Sequence, residues 1–177
     1  MKKNITIILF GLSFAFTQDI FKLSQRDFLN NSNGKQFIRG EYLIILGGYN
    51  LEPLLRDPLA GDFIEFKGSQ GYDVSVVNYS DIAINQNELK DYLDSYSESH
   101  PLLEYVLLVG DVTGTYAIPT HLITSYNDAD YPLDQTDYPY TFFSDEQRHS
   151  PSFFIGRWSV QASNELNYII SRTIGYS

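Results

Sequence analysis

The amino-acid sequence predicts an α/β domain with a doubly wound, mainly parallel sheet and helices on both of its faces. Continuous apolar runs at 42–46 and 105–109 predict strands that are covered on both sides, and Val74-Ser75-Val76-Val77 predicts a further strand. Amphipathic segments separate these runs, and strands that alternate with helices form parallel sheets through right-handed crossovers. The chain has 177 residues, 43% of them hydrophobic, which suits one domain with its own core.

The first predicted strand is followed by a predicted amphipathic helix. The strand at 42–46 ends at a pair of glycines. Asp57 then predicts an N-cap, with Pro58 in the first helical position. Gly68 or Gly71 ends the helix. Its apolar face comprises Leu59, Phe63 and Phe66.

A second helix is predicted between the second and third strands. The second strand covers 74–77, and either Asn85 or Asn87 caps the helix that follows. The apolar face of this helix comprises Leu89, Tyr92, Leu93 and Tyr96. Pro101 ends it, and the third strand at 105–109 follows.

The regular alternation is interrupted before the last strand and helix. Prolines and turn residues break the segment 112–150, which predicts a long loop or a short hairpin at the carboxyl end of the sheet. A fourth strand is predicted at 153–155 and is followed by Arg157. The last helix begins at Ser163. Its apolar face comprises Leu166, Ile169, Ile170 and Ile174.

The first residues predict export. Residues 1–17 have the order of a signal peptide, with Lys2 and Lys3 before an apolar run at 5–16 and small residues at its end. A buried strand or an uncleaved anchor is the alternative interpretation. The predicted location is therefore secreted, cell-surface or periplasmic, with no membrane association after cleavage. The polar segment 18–40 predicts an irregular leader before the domain.

Charge and cysteine content exclude several functions. The formal net charge of −10 argues against nucleic-acid binding, which requires Lys and Arg to neutralise phosphates. Acidity permits cation binding, or it serves only solubility. The chain contains no cysteine, so it forms no disulfide and supplies neither a thiolate nucleophile nor a cysteine metal ligand.

Common catalytic and nucleotide-binding motifs are absent from the sequence. It has no dinucleotide-binding glycine pattern, no P-loop, no nucleophile elbow and no zinc-peptidase helix motif. Gly47 and Gly48 after the first strand are a weak candidate for binding an anion. The three histidines are predicted to be solvated in loops. They are His100, His121 and His149.

Six acidic residues of the segment 112–150 suggest a cation site. They are Asp128, Asp130, Asp134, Asp137, Asp145 and Glu146. Loop carboxylates bind calcium, which takes six to eight oxygen ligands in loose geometry. Asp111 ends the third strand, where ligands of open α/β sheets bind. The predicted metal ligands are Asp111, Asp128, Asp130 and Asp137. Solvation of the loop acids, or an ion pair between Asp111 and Arg157, is the alternative.

Several segments together resemble the gingipain family of cysteine peptidases. They are 42–46, 105–111 with Ile118-Pro119, 127–131, 136–140, 154–157 with Ser159-Val160, and 170–176. They occur in the family's order and with similar spacing. The resemblance extends over 41–177, which it identifies as the amino-terminal part of the catalytic region.

The resemblance implies a caspase-like α/β/α catalytic region built of two similar subdomains, of which this chain is the first. The family's catalytic His and Cys lie in the second subdomain, and no residue here matches either. Asp111 matches a calcium-ligand position of the family. Arg148 and Ser152 stand where the family has carboxylates.

The predicted function is that of the amino-terminal part of a secreted, gingipain-like cysteine endopeptidase that is inactive alone. Its predicted partners are the missing catalytic subdomain and, in the intact enzyme, a protein or peptide substrate. Calcium is the predicted cofactor. One alternative is a secreted, non-catalytic module that binds calcium or a partner. Another is an unrelated flavodoxin-like domain that binds a small anion at Gly47 and Gly48.

Overall fold

A computed structural model of the chain describes residues 39–124, 133–143 and 150–176. The predicted signal peptide at 1–17 lies outside these ranges, as do Asp128, Asp130 and His149. Within the described ranges, no helix has both the length and the apolar content needed to cross a membrane.

The described residues form a four-stranded parallel sheet with the strand order β2-β1-β3-β6. Its strands are β1 (Gly40–Leu46), β2 (Tyr72–Asn78), β3 (Leu103–Val109) and β6 (Phe154–Trp158). The predicted parallel α/β sheet is confirmed. All four predicted strands are present, each longer than the apolar run that predicted it.

The central strand β1 is buried on both faces, which explains its continuous apolarity. Leu43 and Ile45 point into one core, while Ile44 and Leu46 point into the other, and all four are fully buried. Side chains alternate between the faces of a strand, so a strand in the middle of a two-core domain needs an apolar residue at every position.

Helices cover both faces of the sheet, as predicted. Helices α1 (Phe63–Ser69) and α4 (Ser163–Gly175) pack on one face, together with a 3₁₀ helix at Tyr49–Arg56. Helix α3 (Gln86–Ser99) packs on the other face, after a single-turn helix α2 (Tyr79–Ile82).

The predicted start of the first helix at Asp57 and Pro58 is wrong. Asp57 ends the 3₁₀ helix, and its carboxylate accepts a hydrogen bond from the Leu59 N–H at 2.9 Å, which forms a local turn. Leu59 is 95% exposed and lies outside the apolar face. The helix instead begins after Asp62, whose side chain accepts from the Glu65 N–H at 2.8 Å.

The other two helix starts follow their capping residues. Asn85 caps α3 by accepting hydrogen bonds from the Asn87 and Glu88 N–H groups at 2.9 and 3.0 Å. Glu165 reaches back from the first turn of α4 to the Gln161 and Ala162 N–H groups. Both helices then bury the faces predicted from their spacing, through Leu89 and Leu93 in α3 and Leu166 and Ile170 in α4.

The segment between β3 and β6 contains the predicted short hairpin. Strands β4 (His121–Thr124) and β5 (Leu133–Thr136) pair antiparallel, and a 3₁₀ helix at Tyr138–Thr141 follows. Tyr140 of this helix is fully buried and packs in the same core as α3. The hairpin is thereby fixed at the carboxyl end of the sheet.

Candidate functional site

The carboxyl ends of β1 and β3 meet the returning segment 111–118 at glycines. The Ile118 N–H donates to the Asp111 carbonyl at 2.8 Å and closes this segment into a loop. A Cβ atom at Gly47 would lie 2.7 Å from the Tyr116 carbonyl carbon, and one at Gly110 would overlap the Tyr116 carbonyl oxygen. Both glycines are therefore required by the close approach of the loop backbone.

Tyr116 also takes up the space beside Gly48. Its ring lies 3.0 Å from the position of a Cβ atom there, and its hydroxyl accepts a hydrogen bond from the Asn50 side chain at 2.6 Å. Tyr116 therefore occupies the space beside Gly47 and Gly48, where the sequence suggested a weak anion site.

Arg157 on β6 joins the elements of this edge. Its Nε donates to the Asp137 carboxylate at 2.8 Å, and one Nη donates to the same carboxylate at 2.7 Å. The guanidinium also donates to the carbonyls of Gly110, Ile118 and Pro119 at 3.1, 2.9 and 3.3 Å. An arginine side chain has five N–H donors in a planar fork. All of them are used here, so Arg157 holds the β3 end, the returning loop and the hairpin end in one arrangement.

The Arg157–Asp137 ion pair is largely buried. The two side chains are 11% and 18% exposed, and Asp137 accepts a further hydrogen bond from the Thr120 hydroxyl at 2.9 Å. Bidentate contact of this kind adds directional hydrogen bonds to the charge attraction. Arg157 thus pairs with Asp137, whereas the sequence suggested Asp111 as its partner.

Asp111 is differently placed, at the surface of the same edge, where it is partly exposed. Its carboxylate accepts a hydrogen bond from the Gln161 side chain at 2.5 Å and one from the Val112 N–H at 2.8 Å. These hydrogen bonds, with that from Gln161 the larger influence, lower the pKa of Asp111. The carboxylate is therefore ionised at neutral pH.

The described residues contribute unequally to the predicted metal site. Asp111 offers an ionised, partly exposed carboxylate, while both oxygens of Asp137 already accept hydrogen bonds from Arg157. No group of three or more His, Cys, Asp or Glu that could hold a metal ion occurs in the ranges 39–124, 133–143 and 150–176. A calcium cage would thus need Asp128 and Asp130, which lie outside the described residues. Calcium binding stays a prediction.

A tyrosine and a histidine lie beside the ion pair. The Tyr140 hydroxyl donates to the Pro119 carbonyl at 2.8 Å, and burial raises the Tyr140 pKa. His121 packs edge-on against this ring with centroids 4.7 Å apart, and its Nε2 atom is buried with no hydrogen-bond partner in the part of the chain that the structure describes. Burial lowers the pKa of His121, helped by the nearby Lys90 charge. His121 is therefore a half-buried neutral ring, contrary to the prediction of a solvated residue.

Taken together, these contacts hold the carboxyl ends of the strands in one arrangement that contains no thiol. The carboxyl ends of the strands are tied by hydrogen bonds of one buried arginine, and the sequence has no cysteine. The arrangement can position neighbouring chain segments and present the Asp111 carboxylate to a ligand. It supplies no thiol for attack on a carbonyl.

Comparisons with known proteins agree on one family. A model of peptidase family C25 matches residues 36–177. A solved complex of Porphyromonas gingivalis RgpB pro- and mature domains is similar, with 27% sequence identity and a TM-score of 0.61. The match covers 77% of this chain and 29% of that one. No curated protein matches the sequence.

A second solved structure, described as a protease, supports the fold alone. It has 18% sequence identity and a TM-score of 0.56, and the match covers 78% of this chain and 28% of that one. The chain therefore spans less than a third of each solved chain that it matches.

Proposed function

Because the chain belongs to peptidase family C25, the gingipain family, we propose that it is the amino-terminal part of a secreted cysteine endopeptidase and is inactive alone. The caspase-like α/β fold supports the assignment. Secretion is inferred from the basic, apolar and small residues of 1–17. Peptide-bond hydrolysis is the activity proposed for the intact enzyme.

The observation that carries this proposal is the absence of cysteine from a chain that matches a cysteine-peptidase family. A thiolate attacks the scissile carbonyl in such enzymes, and a histidine transfers the proton. Neither the sequence nor the described edge supplies that pair. The chain's role is then to provide a scaffold and one wall of the substrate cleft, while a further region supplies the nucleophile.

The β4–β5 hairpin presents apolar side chains that suit contact with this further region. Leu122, Ile123 and Leu133 are 58%, 48% and 53% exposed on its short strands. Phe154 is 60% exposed, but it lies at the amino end of β6, where its ring stacks on Tyr105, and it is therefore not part of this surface. Exposed apolar side chains on one short hairpin are typical of a protein-contact surface.

Peptide hydrolysis is expected only when the rest of the catalytic region is present. The chain alone should show no turnover of fluorogenic peptides above the uncatalysed background, because it has no thiol. The experiment sequences the gene beyond the codon for Ser177 and expresses the longer protein that it encodes. The longer protein should contain a cysteine and a histidine, hydrolyse the peptides and lose activity with iodoacetamide.

Two results would contradict this proposal. One is turnover by the chain alone. The other is a complete gene that stops directly after Ser177, which would favour a non-catalytic module. If the two parts associate through the hairpin, the double variant Leu122→Ser, Ile123→Ser should weaken their association. Leu59→Ser removes an even more exposed apolar group elsewhere and serves as the control.

A second candidate function is a secreted module that binds calcium or a partner. The observation that favours it is the ionised Asp111 carboxylate at the exposed carboxyl end of β3. Calcium would be held there by Asp111 with Asp128 and Asp130, since hard cations take carboxylate oxygens. This binding would stabilise the edge of the sheet and is compatible with the peptidase proposal.

Millimolar calcium is expected to raise the melting midpoint of the chain by about 5 °C over a chelated sample. Asp111→Asn keeps the hydrogen bond with Gln161 but removes the charge, and it should abolish most of this shift. Asp91→Asn removes an exposed acid on α3 and should leave the shift unchanged. Circular dichroism measures the midpoints, and equal midpoints with calcium and with chelator would exclude the site.

A further inference from the structure

A cavity of about 490 Å³ lies at the amino ends of the first three parallel strands. Its lining residues are Arg39, Tyr42, Lys67, Gln70, Tyr72 and Tyr105. Aromatic rings, two cations and an amide thus surround one space. The cavity is at the opposite edge of the sheet from Asp111, which follows β3, and from Arg157, which lies near the carboxyl end of β6.

Three tyrosines form the walls of this cavity. Tyr42 and Tyr105 are paired in the register of β1 and β3, and their rings stack with centroids 5.7 Å apart. The Tyr72 ring stands edge-on to both, again at 5.7 Å. Because neighbouring strands fix all three side chains, the aromatic walls are preformed and would lose little entropy on binding a ligand.

Lys67 brings a partly buried positive charge to the cavity. Its ammonium lies 5.2 Å from the Tyr42 ring centroid and 3.1 Å from the Gln70 side-chain oxygen. Among the described residues, no carboxylate forms an ion pair with it. Burial, and secondarily the Arg39 charge, lowers the Lys67 pKa. A bound anion would supply the missing counter-charge and stabilise the charged form.

Arg39 adds a second cation with unused hydrogen-bonding capacity. Its guanidinium lies 5.1 Å from the Tyr72 ring centroid and is 3.6 Å from the Glu104 carboxylate, which is too long for a hydrogen bond. The Arg39 side chain is 54% exposed at the rim. With Lys67 beside it, the cavity has two cations against one carboxylate among the described residues, in a chain whose formal net charge is −10.

We propose that this cavity binds a small organic anion, a carboxylate or phosphate group carried on a planar body. The anionic oxygens would accept hydrogen bonds from Lys67 and Arg39, and the planar body would pack against the tyrosine rings. Charge-assisted hydrogen bonds give such a ligand its orientation, while the rings give it contact area. The inference is independent of the peptidase activity, because it uses none of the residues at the carboxyl edge.

Isothermal titration calorimetry of the full chain with benzoate, inorganic phosphate, acetate and benzyl alcohol tests this proposal. Benzoate should bind and shift the amide signals of Lys67, Gln70 and Tyr72 in a ¹H–¹⁵N spectrum. Benzyl alcohol, which has the ring without the charge, should not. If phosphate binds more tightly than benzoate, the ligand group that Lys67 and Arg39 bind is a phosphate rather than a carboxylate. Equal binding of benzyl alcohol and benzoate, or binding by no anion, would overturn the proposal.

Matched variants separate this cavity from general charge effects. Lys67→Met keeps the apolar stem over the rings and should raise the dissociation constant about tenfold or more, since it removes a charge-assisted hydrogen bond. Arg39→Gln acts at an exposed side chain, where folding is not at risk, and should weaken binding in the same direction. Arg172→Gln removes one exposed positive charge on α4 and should leave binding unchanged. Unchanged binding in both cavity variants would contradict the assignment.

Discussion

Replacing Arg157 with alanine is expected to lower the free energy of unfolding by about 4 kcal/mol. The Asp137 side chain is only 18% exposed in the native chain, and the substitution removes its counter-charge. It also removes the hydrogen-bond donor of the Gly110, Ile118 and Pro119 carbonyls. Removing one partner of a buried pair costs more than the net value of the pair, because the remaining charge stays desolvated. The loop and the hairpin end would lose their common anchor.

Urea denaturation followed by circular dichroism measures this loss. Arg157→Lys should recover only part of the stability, because an ammonium cannot donate in the fork that reaches Asp137 and the carbonyls together. The matched control is Arg172→Ala, an exposed cation on α4, for which a change within about 0.5 kcal/mol is expected.

A double-mutant cycle with Asp137→Asn distinguishes the ion pair from the carbonyl contacts. If the pair dominates, the double variant should be less destabilised than the sum of the single variants by about 1 kcal/mol or more. A loss below about 1 kcal/mol for Arg157→Ala would show that the three carbonyls find other donors, and that Arg157 does not anchor this edge.

The sheet could be predicted because its sequence signal is local. Residues 42–46 and 105–109 are apolar at every position, and the structure buries both faces of each strand. The first helix was misplaced because Asp57-Pro58 and Asp62 offer similar capping patterns within a few residues. The 3₁₀ helix at Tyr49–Arg56 has helical spacing of Leu51, Leu54 and Leu55 but contains Pro53, which disfavours a helix interior, so the sequence pattern does not predict a helix that ends at Asp57.

The site was predicted less completely because ion pairs depend on tertiary distances. Sequence position placed both Asp111 and Arg157 at the ends of neighbouring strands, but it did not show that Asp137 returns between them. The tyrosine-lined cavity has a signal in the sequence that the strand prediction does not use. The two most apolar runs both begin with tyrosine, at Tyr42 and Tyr105, and parallel register brings those positions side by side.

Substituting Gly110 with alanine is expected to destabilise the chain by about 3 kcal/mol, at the upper end of the usual cost of overpacking. The new Cβ would overlap the Tyr116 carbonyl oxygen, which belongs to backbone and cannot rotate away as a side chain would. The Cβ of Gly47→Ala would overlap the same Tyr116 carbonyl group, so this substitution should lower the free energy of unfolding by a similar amount. Either variant must displace the loop 111–118 or separate it from the strand ends.

Two other glycines provide matched controls for this steric argument. A Cβ at Gly156 in β6 or at Gly68 in α1 meets nothing within 4 Å. Gly68→Ala should therefore stabilise the chain by about 0.5–1 kcal/mol through helix propensity, and Gly156→Ala should be close to neutral. Chemical denaturation of the four variants gives the comparison, and a Gly110→Ala variant as stable as Gly156→Ala would refute the steric argument.

The glycine and arginine predictions are linked by the loop that they share. Arg157 holds the carbonyls of Gly110 and Ile118, on either side of the backbone that Gly110→Ala would displace. Once the loop has moved, Arg157 has already lost these contacts, so adding Arg157→Ala should cost less than it does in the native chain. The two substitutions should be non-additive by about 1 kcal/mol or more. Simple additivity would show that the loop is held at Gly110 and at Arg157 independently.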